Sequence, residues 1–499
     1  MRSSFTVAVS LAAVAAVAAC GGSHAELCET ADPLPPECLE MCDPRPNAPP
    51  TCPTGYHCTN DGTCGFQCTP SGSECGDGNR CTDDGRCVPE NSCEGLECDQ
   101  VECDPGVTTS LSGTVFAPNG TLPLYNVNVY VPREALAPFG EELTCDQCGD
   151  ELGGRPLVRT VTDTAGHFVL ADVPATDDVP LVIQVGRWRR QFIIPRVDEC
   201  VDTAVDPGMT RFARNQSEGD IPRIALSTGN ADALECLLRK IGIDDAEFTP
   251  SGGTGRVHMF SDFGATQGAE GGGVGQFDGA HGGAQFTDST QLWNDVTSLS
   301  NYDITVLSCE GAQHPETKSP TALAALKSYA DLGGRVFASH WHNIWLDSAP
   351  PPWPSAITRV DGGDLGTITA MINQGFERGM ALATWLVNVG GSGQLGQIQL
   401  NEAKNTISAV DQTAIDPWIT YPGSVQYLSY TTPMEAPRDQ RCGRVVFSDI
   451  HVSGGDDSQP SYGFPSDGCT TDVNTLTPQE KVLAFMIFDI ASCIPDVID

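Results

Sequence analysis

The cysteines constrain this chain most. Of its 22, 13 lie between residues 28 and 103, a density that belongs to a compartment where disulfides form and persist. Two segments repeat, "CPTGYHCTNDGTC" at residues 52–64 and "CGDGNRCTDDGRC" at residues 75–87. Both read C-x5-C-x5-C, and both place an Asp-Gly pair before the last Cys, Asp61-Gly62 and Asp84-Gly85. Asp-Gly suits a tight hairpin because Gly accepts positive φ. Each repeat is therefore expected to be a small hairpin held by disulfides. A zinc site would need CxxC pairs at ribbon spacing, and this region has none. Prolines between Pro33 and Pro50 stiffen the approach to the repeats. Residues 51–106 read best as a spacer, because turns and cysteines offer little for recognition.

The N-terminus supplies the matching compartment. "MRSSFTVAVSLAAVAAVAAC" carries one basic residue, Arg2, then an apolar run too short and Ala-rich for a membrane span. Residues 1–19 read as a secretory signal. Val17-Ala18-Ala19-Cys20 resembles the lipobox of bacterial lipoproteins, which implies that Cys20 is acylated and becomes the mature N-terminus. The alternative is an ordinary signal peptide cut near Ala19. In lipoproteins an Asp after the Cys retains the protein at the inner membrane, so Gly21 implies an outer-membrane lipoprotein of the cell envelope, periplasmic or surface-exposed. Residues 20–50 then serve as lipid anchor and Pro-rich linker, and the lipid is the expected link to the membrane. Net charge is −38, from 65 acidic and 27 basic residues. Such a surface repels phosphate backbones, which excludes nucleic acid as a partner.

Composition shifts near residue 107. "SLSGTVFAPNGTLPLYNVNVYVP", "VRTVTDTAGHFVLADVP" and "VPLVIQVGRWRRQFIIP" alternate apolar and polar residues around turns such as Asn119-Gly120 and Ala165-Gly166. Period-2 runs at short spacing predict an antiparallel β-sandwich over residues 107–220. These stretches resemble the carboxypeptidase regulatory-like family of transthyretin-like sandwiches, a structural or accessory module with no catalytic residues to carry over. Cys145, Cys148, Cys200 and Cys236 are expected to form disulfides rather than bind zinc or exchange electrons. "RWRR" at residues 187–190 is the strongest basic cluster. It either pairs with nearby acids or holds an anionic glycan or headgroup.

From residue 221 to 499 strands and helices alternate. "IPRIALST", "RVHMFS", "YDITVLSC", "RVFAS" and "GRVVFSDIHVS" read as strands, with helices between them. Short apolar runs without alternation are buried on both faces, which predicts a doubly wound α/β domain with a mostly parallel sheet. The fold class is thus multidomain: a disulfide-rich N-terminal region, an antiparallel sandwich and a doubly wound α/β domain. Ligands of such sheets sit outside the C-terminal strand ends. There the sequence places His258, Cys309 with Glu310, His340, Trp341 and His342, and later Asp449 and His451. Removing a lipidated Cys20 leaves an odd number of cysteines, so one is unpaired, and Cys309 is the candidate. The Gly-rich stretch at residues 264–283 lacks G-x-x-x-x-G-K-[ST] and carries Glu270 and Asp278. It reads as a mobile loop over the strand ends, not a phosphate loop. "LTPQEKVLAFMIFDIASC" reads as a final helix with a Thr477–Glu480 capping box, docked on the sheet and tied by Cys493 to Cys442 or Cys469.

"YDITVLSCEG", "GGRVFASHWHN" and "GRVVFSDIHVS" resemble the class I glutamine amidotransferase-like fold, and within it the ThuA-like branch, across residues 221–495 with an insertion around 345–440. The resemblance implies a catalytic Cys on the turn after the fourth strand. That turn reads "ASHWHN" here. His451 stands where the family's His is expected, but its accompanying Glu is replaced by Val452 and Ser453. Thiolate-based glutamine hydrolysis is therefore expected to be lost. Three readings of the site stay open. A divalent metal is held by some of His340, His342, Asp449 and His451. A His–Asp pair does acid–base work, with His342, His451 and Cys309 as catalytic candidates. Or the histidines are buried polar groups packed beside Trp341, Trp345 and Trp353, with Glu310, His340, Trp341 and Asp449 lining a ligand cleft. The favoured function is binding of a ligand or partner, a glycan or an envelope protein, without catalysis. The alternative is a metal-dependent or His-assisted hydrolase acting on a carbohydrate or amide.

Overall fold

The computed structural model describes residues 56–58, 64–66, 75, 79–81, 87–89, 93, 95–262, 273–452, 463–465, 469 and 476–494. The signal segment, Cys20 and the linker 20–50 lie outside the described residues. The chain divides into two units, residues 1–94 and 95–499.

In the first unit each cysteine repeat forms an antiparallel hairpin. Strand β1 (Tyr56–Cys58) pairs with β2 (Cys64–Phe66), and β3 (Asn79–Cys81) with β4 (Cys87–Pro89). The register sets Cys58 opposite Cys64 and Cys81 opposite Cys87. Cys75 and Cys93 are disulfide-bonded.

The second unit begins as a sandwich. One sheet has the order β10-β9-β6-β7, from Trp188–Arg196, Asp177–Val185, Asn128–Pro132 and Pro156–Val161. The other is β11-β5-β8, from Asp202–Ala204, Ser110–Thr114 and His167–Ala171. Alternation does what period-2 patterning requires: Phe168 and Leu170 of β8 are buried while His167, Val169 and Ala171 face out. Not every strand is antiparallel, because β11 runs parallel to β5. The Cys103–Cys200 disulfide joins the two ends of this segment. The basic cluster is internally paired: Arg187 lies 3.3 Å from Asp303, Arg189 lies 2.9 Å from Asp220, and Arg190 donates to the Arg211 carbonyl at 3.0 Å.

The remaining strands build one eleven-stranded sheet. Its parallel part runs β13 (Phe248–Pro250), β14 (Val257–Ser261), β12 (Ile224–Ser227), β16 (Ile304–Leu307), β17 (Arg335–Ser339) and β22 (Gly443–Ser448), with β15 (Thr287–Asp288) beside β14. All residues of β12, β16, β17 and β22 are buried, as expected of strands covered on both faces. The main strands follow the flavodoxin-like winding order, with the reversal between β12 and β16. The insertion adds an antiparallel half: β21 (Ser424–Thr432), β20 (Asp416–Tyr421), β18 (Ile357–Ile372) and β19 (Gln397–Val410). This half departs from the mostly parallel expectation. Only two residues, Pro422 and Gly423, join β20 to β21, and so short a link permits only an antiparallel hairpin.

Sandwich and sheet share one hydrophobic core. The helix Pro478–Ala491, with its Thr477–Glu480 capping box, stands between them. Phe488 packs 5.4 Å from Trp188 and 6.1 Å from Phe212, both sandwich residues, while Phe485 packs 5.2 Å from Trp385 of the helix Glu377–Asn388. A helix apolar on nearly every side has to be covered on every side. Two disulfides reinforce the union. Cys145 bonds Cys442, and Cys148 bonds Cys493, so the final helix is tied to the sandwich loop rather than to Cys442 or Cys469. Cys469 instead bonds Cys236, on the helix Leu234–Lys240. Cys309 is free and buried.

The Cys148–Cys493 bond spans 345 residues. Closing so long a loop restricts the unfolded chain strongly, by about 3–5 kcal/mol. The paired variant Cys148→Ala/Cys493→Ala should unfold several degrees lower in calorimetry. An unchanged midpoint would show the bond to be thermodynamically idle.

Candidate functional site

The strand ends β12, β16, β17 and β22 meet at one edge, and the sequence fills the connections there with polar groups. The helix Pro320–Asp331 leads into β17 through Gly333, whose φ of 113° lets the chain reverse without steric cost. At the far end of β17 the backbone turns sharply again, and there the turning residue is His340, with φ 43°. Left-handed backbone in a non-Gly residue costs about 1–2 kcal/mol. The turn His340–Asn343 that follows carries the ring into contact with the loop after β16. His340 Nδ1 lies 3.4 Å from Cys309 Sγ. His451, just beyond β22, brings its ring centroid to 5.1 Å from that of His340. Cys309, His340 and His451 thus present their donor atoms within 4.8 Å of one another, all buried.

A cavity of about 170 Å³ opens beside them. His340, His451 and half-buried Trp341 line it, together with Gly362, Gly363, Asp364 and Lys404 from β18 and β19. Lys404 Nζ and Asp364 Oδ1 form a 2.6 Å ion pair. The inserted antiparallel pair β18 and β19 therefore supplies one wall. Its register shifts repeatedly between Thr358 and Ile368, which bends the strand around the opening.

Burial sets the charge states. It pushes the Cys309 thiol up to about 12, against the opposing pull of the Trp341 and Gly311 backbone N–H groups. It pushes His340 down to about 2, helped by His451 and Lys404. Both are neutral near pH 7. Burial therefore disfavours a resting thiolate nucleophile. Asp232, in the loop after β12, is fully buried beside them. It accepts from Ser339 Oγ at 2.6 Å and from the Val452 N–H at 2.9 Å. Burial raises its pKa, and the charge interaction with His451 is the largest opposing effect.

The other sequence candidates separate from this group. His342 is a packed core residue: Trp345 Nε1 donates to its Nδ1 at 2.9 Å, and its Nε2 donates to the Ser308 carbonyl at 3.0 Å. Asp449 accepts from the Thr406 N–H and Oγ1, both at 2.8 Å, and burial raises it to about 7. Glu310 is engaged by Lys318 in a buried ion pair. His258 sits near the start of β14, at the opposite end of the strands, against Tyr302. Trp345 and Trp353 are core residues, which leaves Trp341 as the cavity's aromatic face. Of the Gly-rich stretch, residues 264–272 lie outside the described residues, while Val274 and Phe277 are buried and the Val274 carbonyl accepts from Thr228.

Neither a scan against protein-family models nor a search of curated proteins finds a match. Solved structures similar to this chain include a cytoplasmic protein from Salmonella typhimurium, at 12% identity and TM-score 0.28, covering 54% of this chain and 98% of that one. Another is a ThuA-like protein from Bacteroides uniformis, at 10% identity and TM-score 0.25, covering 53% of this chain and 90% of that one.

Asp232 and Lys404 were not among the sequence candidates. Asp232 follows a strand end like the others, in "STGNAD", and the strand-end rule reaches it once β12 is included. Lys404 carries no such signal, because only the fold of the insertion brings it to the cavity.

One further carboxyl makes stability pH-dependent. Glu235 is buried, its Oε2 has no hydrogen-bond partner among the described residues, and burial raises it from 4.5 to about 8, with Asp232 and Asp262 adding to the rise. Between those values the native state holds a proton that the unfolded chain has lost, so this group's contribution to stability falls as pH rises. Glu235→Gln cannot ionise. Its stability relative to wild type should improve by roughly 3 kcal/mol between about pH 5 and pH 8 in denaturant unfolding. Parallel curves for the two proteins would refute the assignment.

Proposed function

We propose that this chain is a lipid-anchored envelope protein whose α/β layer binds a small polar ligand, a carbohydrate, at the strand ends without catalysis. The observation that carries this reading is the cavity of about 170 Å³ with Trp341 on one side and the Lys404–Asp364 pair on another. A cavity of this size suits a ligand on the scale of one sugar ring rather than a large one. An aromatic face stacks on the apolar face of a sugar, and paired charges take its hydroxyls. The neutral Cys309–His340 pair fits binding better than covalent hydrolysis. A second reading, a metal-dependent or His-assisted hydrolase of a carbohydrate or amide, draws support from the donors of Cys309, His340 and His451, the two histidines of which line the cavity.

The anchoring half of the proposal rests on Cys20 and on the apolar run before it. Cys20→Ser should move the exported protein from the membrane fraction to the soluble one; a variant that stays membrane-bound would remove the lipid from the account. For the ligand, a glycan array probed with wild type and Trp341→Ala should show binding that weakens at least about tenfold in the variant. Equal signals from the two proteins, or none from wild type, would reject a sugar in this cavity. Turnover of a bound glycan would favour the hydrolase reading instead.

A further inference from the structure

The strand-end cluster contains a donor set that sugar binding alone does not use. Cys309, His340 and His451 offer one sulfur and two imidazole nitrogens, with ligand atoms within 4.8 Å of one another. Tetrahedral coordination with metal–sulfur and metal–nitrogen bonds of about 2.3 and 2.0 Å holds sulfur and nitrogen about 3.5 Å apart. Cys309 Sγ and His340 Nδ1 already stand at 3.4 Å.

We infer that Cys309, His340 and His451 form a site for a thiophilic divalent cation of the zinc class, with its remaining coordination position open to the cavity.

Several independent features fit a charged sulfur and a cation better than a neutral thiol. The backbone N–H groups of Trp341 and Gly311 are directed at Sγ, an arrangement that stabilises thiolate. Asp232 is buried nearby, held by Ser339 and Val452, and interacts electrostatically with His451. On binding, the Cys309 S–H proton leaves to solvent as the metal–sulfur bond forms. His340 accepts left-handed backbone at the position that points its ring at the sulfur. Softness selects the ion, since thiolate with imidazole disfavours magnesium and calcium. The set differs from the ligands expected from sequence, because His342 and Asp449 are spent on Trp345, Ser308 and Thr406.

This deepens the cavity reading and rests on it only for what meets the open position. A sugar hydroxyl or carboxylate would complete the coordination there.

The test uses the full-length purified protein, stripped with a chelator and titrated with Co2+ and then Zn2+. Wild type should bind one Co2+ with a sulfur-to-metal charge-transfer band and the intense visible bands of a tetrahedral ion, and Zn2+ should displace it. Cys309→Ser should lose the charge-transfer band, and His451→Ala should weaken Zn2+ at least about 100-fold. Circular dichroism of both variants reports whether the fold is kept. Should either fail to fold, the wild-type spectrum alone decides, because the free cysteine at the site is Cys309. The double variant His167→Ala/His281→Ala, which removes two histidines with partly exposed side chains, should leave the spectrum unchanged. Absence of the charge-transfer band in wild type, or its persistence in folded Cys309→Ser, would overturn the site. Glycan binding is read separately, so a metal-binding protein that ignores sugars sinks the carbohydrate proposal and leaves the cation site standing.

Discussion

The thiol of Cys309 and the imidazole of His340 meet 3.4 Å apart, both buried away from bulk solvent. That exclusion governs the chemistry of the strand ends. In water a thiol and an imidazole would exchange a proton readily. Buried beside the antiparallel pair β18 and β19, neither gains by ionising, because each isolated charge would stand in a medium that solvates it poorly. The same exclusion accounts for the raised carboxyls of Asp232 and Asp449 and for the pairing of Glu310 with Lys318. Polar groups gather here because the winding reverses between β12 and β16 and separates the loops that follow them.

Much of the scaffold was legible in the sequence. The hairpins announced themselves through Asp-Gly turns, β17 through the short apolar run Val336–Ala338 after a Gly pair, and the last helix through Thr477, Pro478 and Glu480. Each of these signals is local, and local geometry decides it. What stayed hidden was non-local. The shared core of sandwich and sheet depends on which surfaces the helix Pro478–Ala491 touches, and apolar periodicity does not name partners. The histidines illustrate the same limit. His340 and His342 are two residues apart in one turn, yet one faces the cavity and the other is locked between Trp345 and the Ser308 carbonyl. Their spacing alone assigns them equal roles; the left-handed φ of His340 separates them.

The insertion changes what the sheet edge can do. A parallel sheet ending at β22 would leave its edge strand open to pairing with other chains. The antiparallel strands β21, β20, β18 and β19 extend the sheet and fold back over the strand ends. Lys404 and Asp364 are thereby brought from the insertion to a place defined by the parallel part. Two elements with separate sequence logic meet at the cavity, and neither makes it alone.

The bond between Cys148 and Cys493 carries an implication for biogenesis. A chain made from its N-terminus presents Cys145 and Cys148 long before Cys442 and Cys493 exist. Those thiols must remain reduced, or accept a temporary partner, until the last helix arrives. These two bonds therefore close late, and a thiol sealed early with a wrong partner is recovered only by thiol–disulfide exchange.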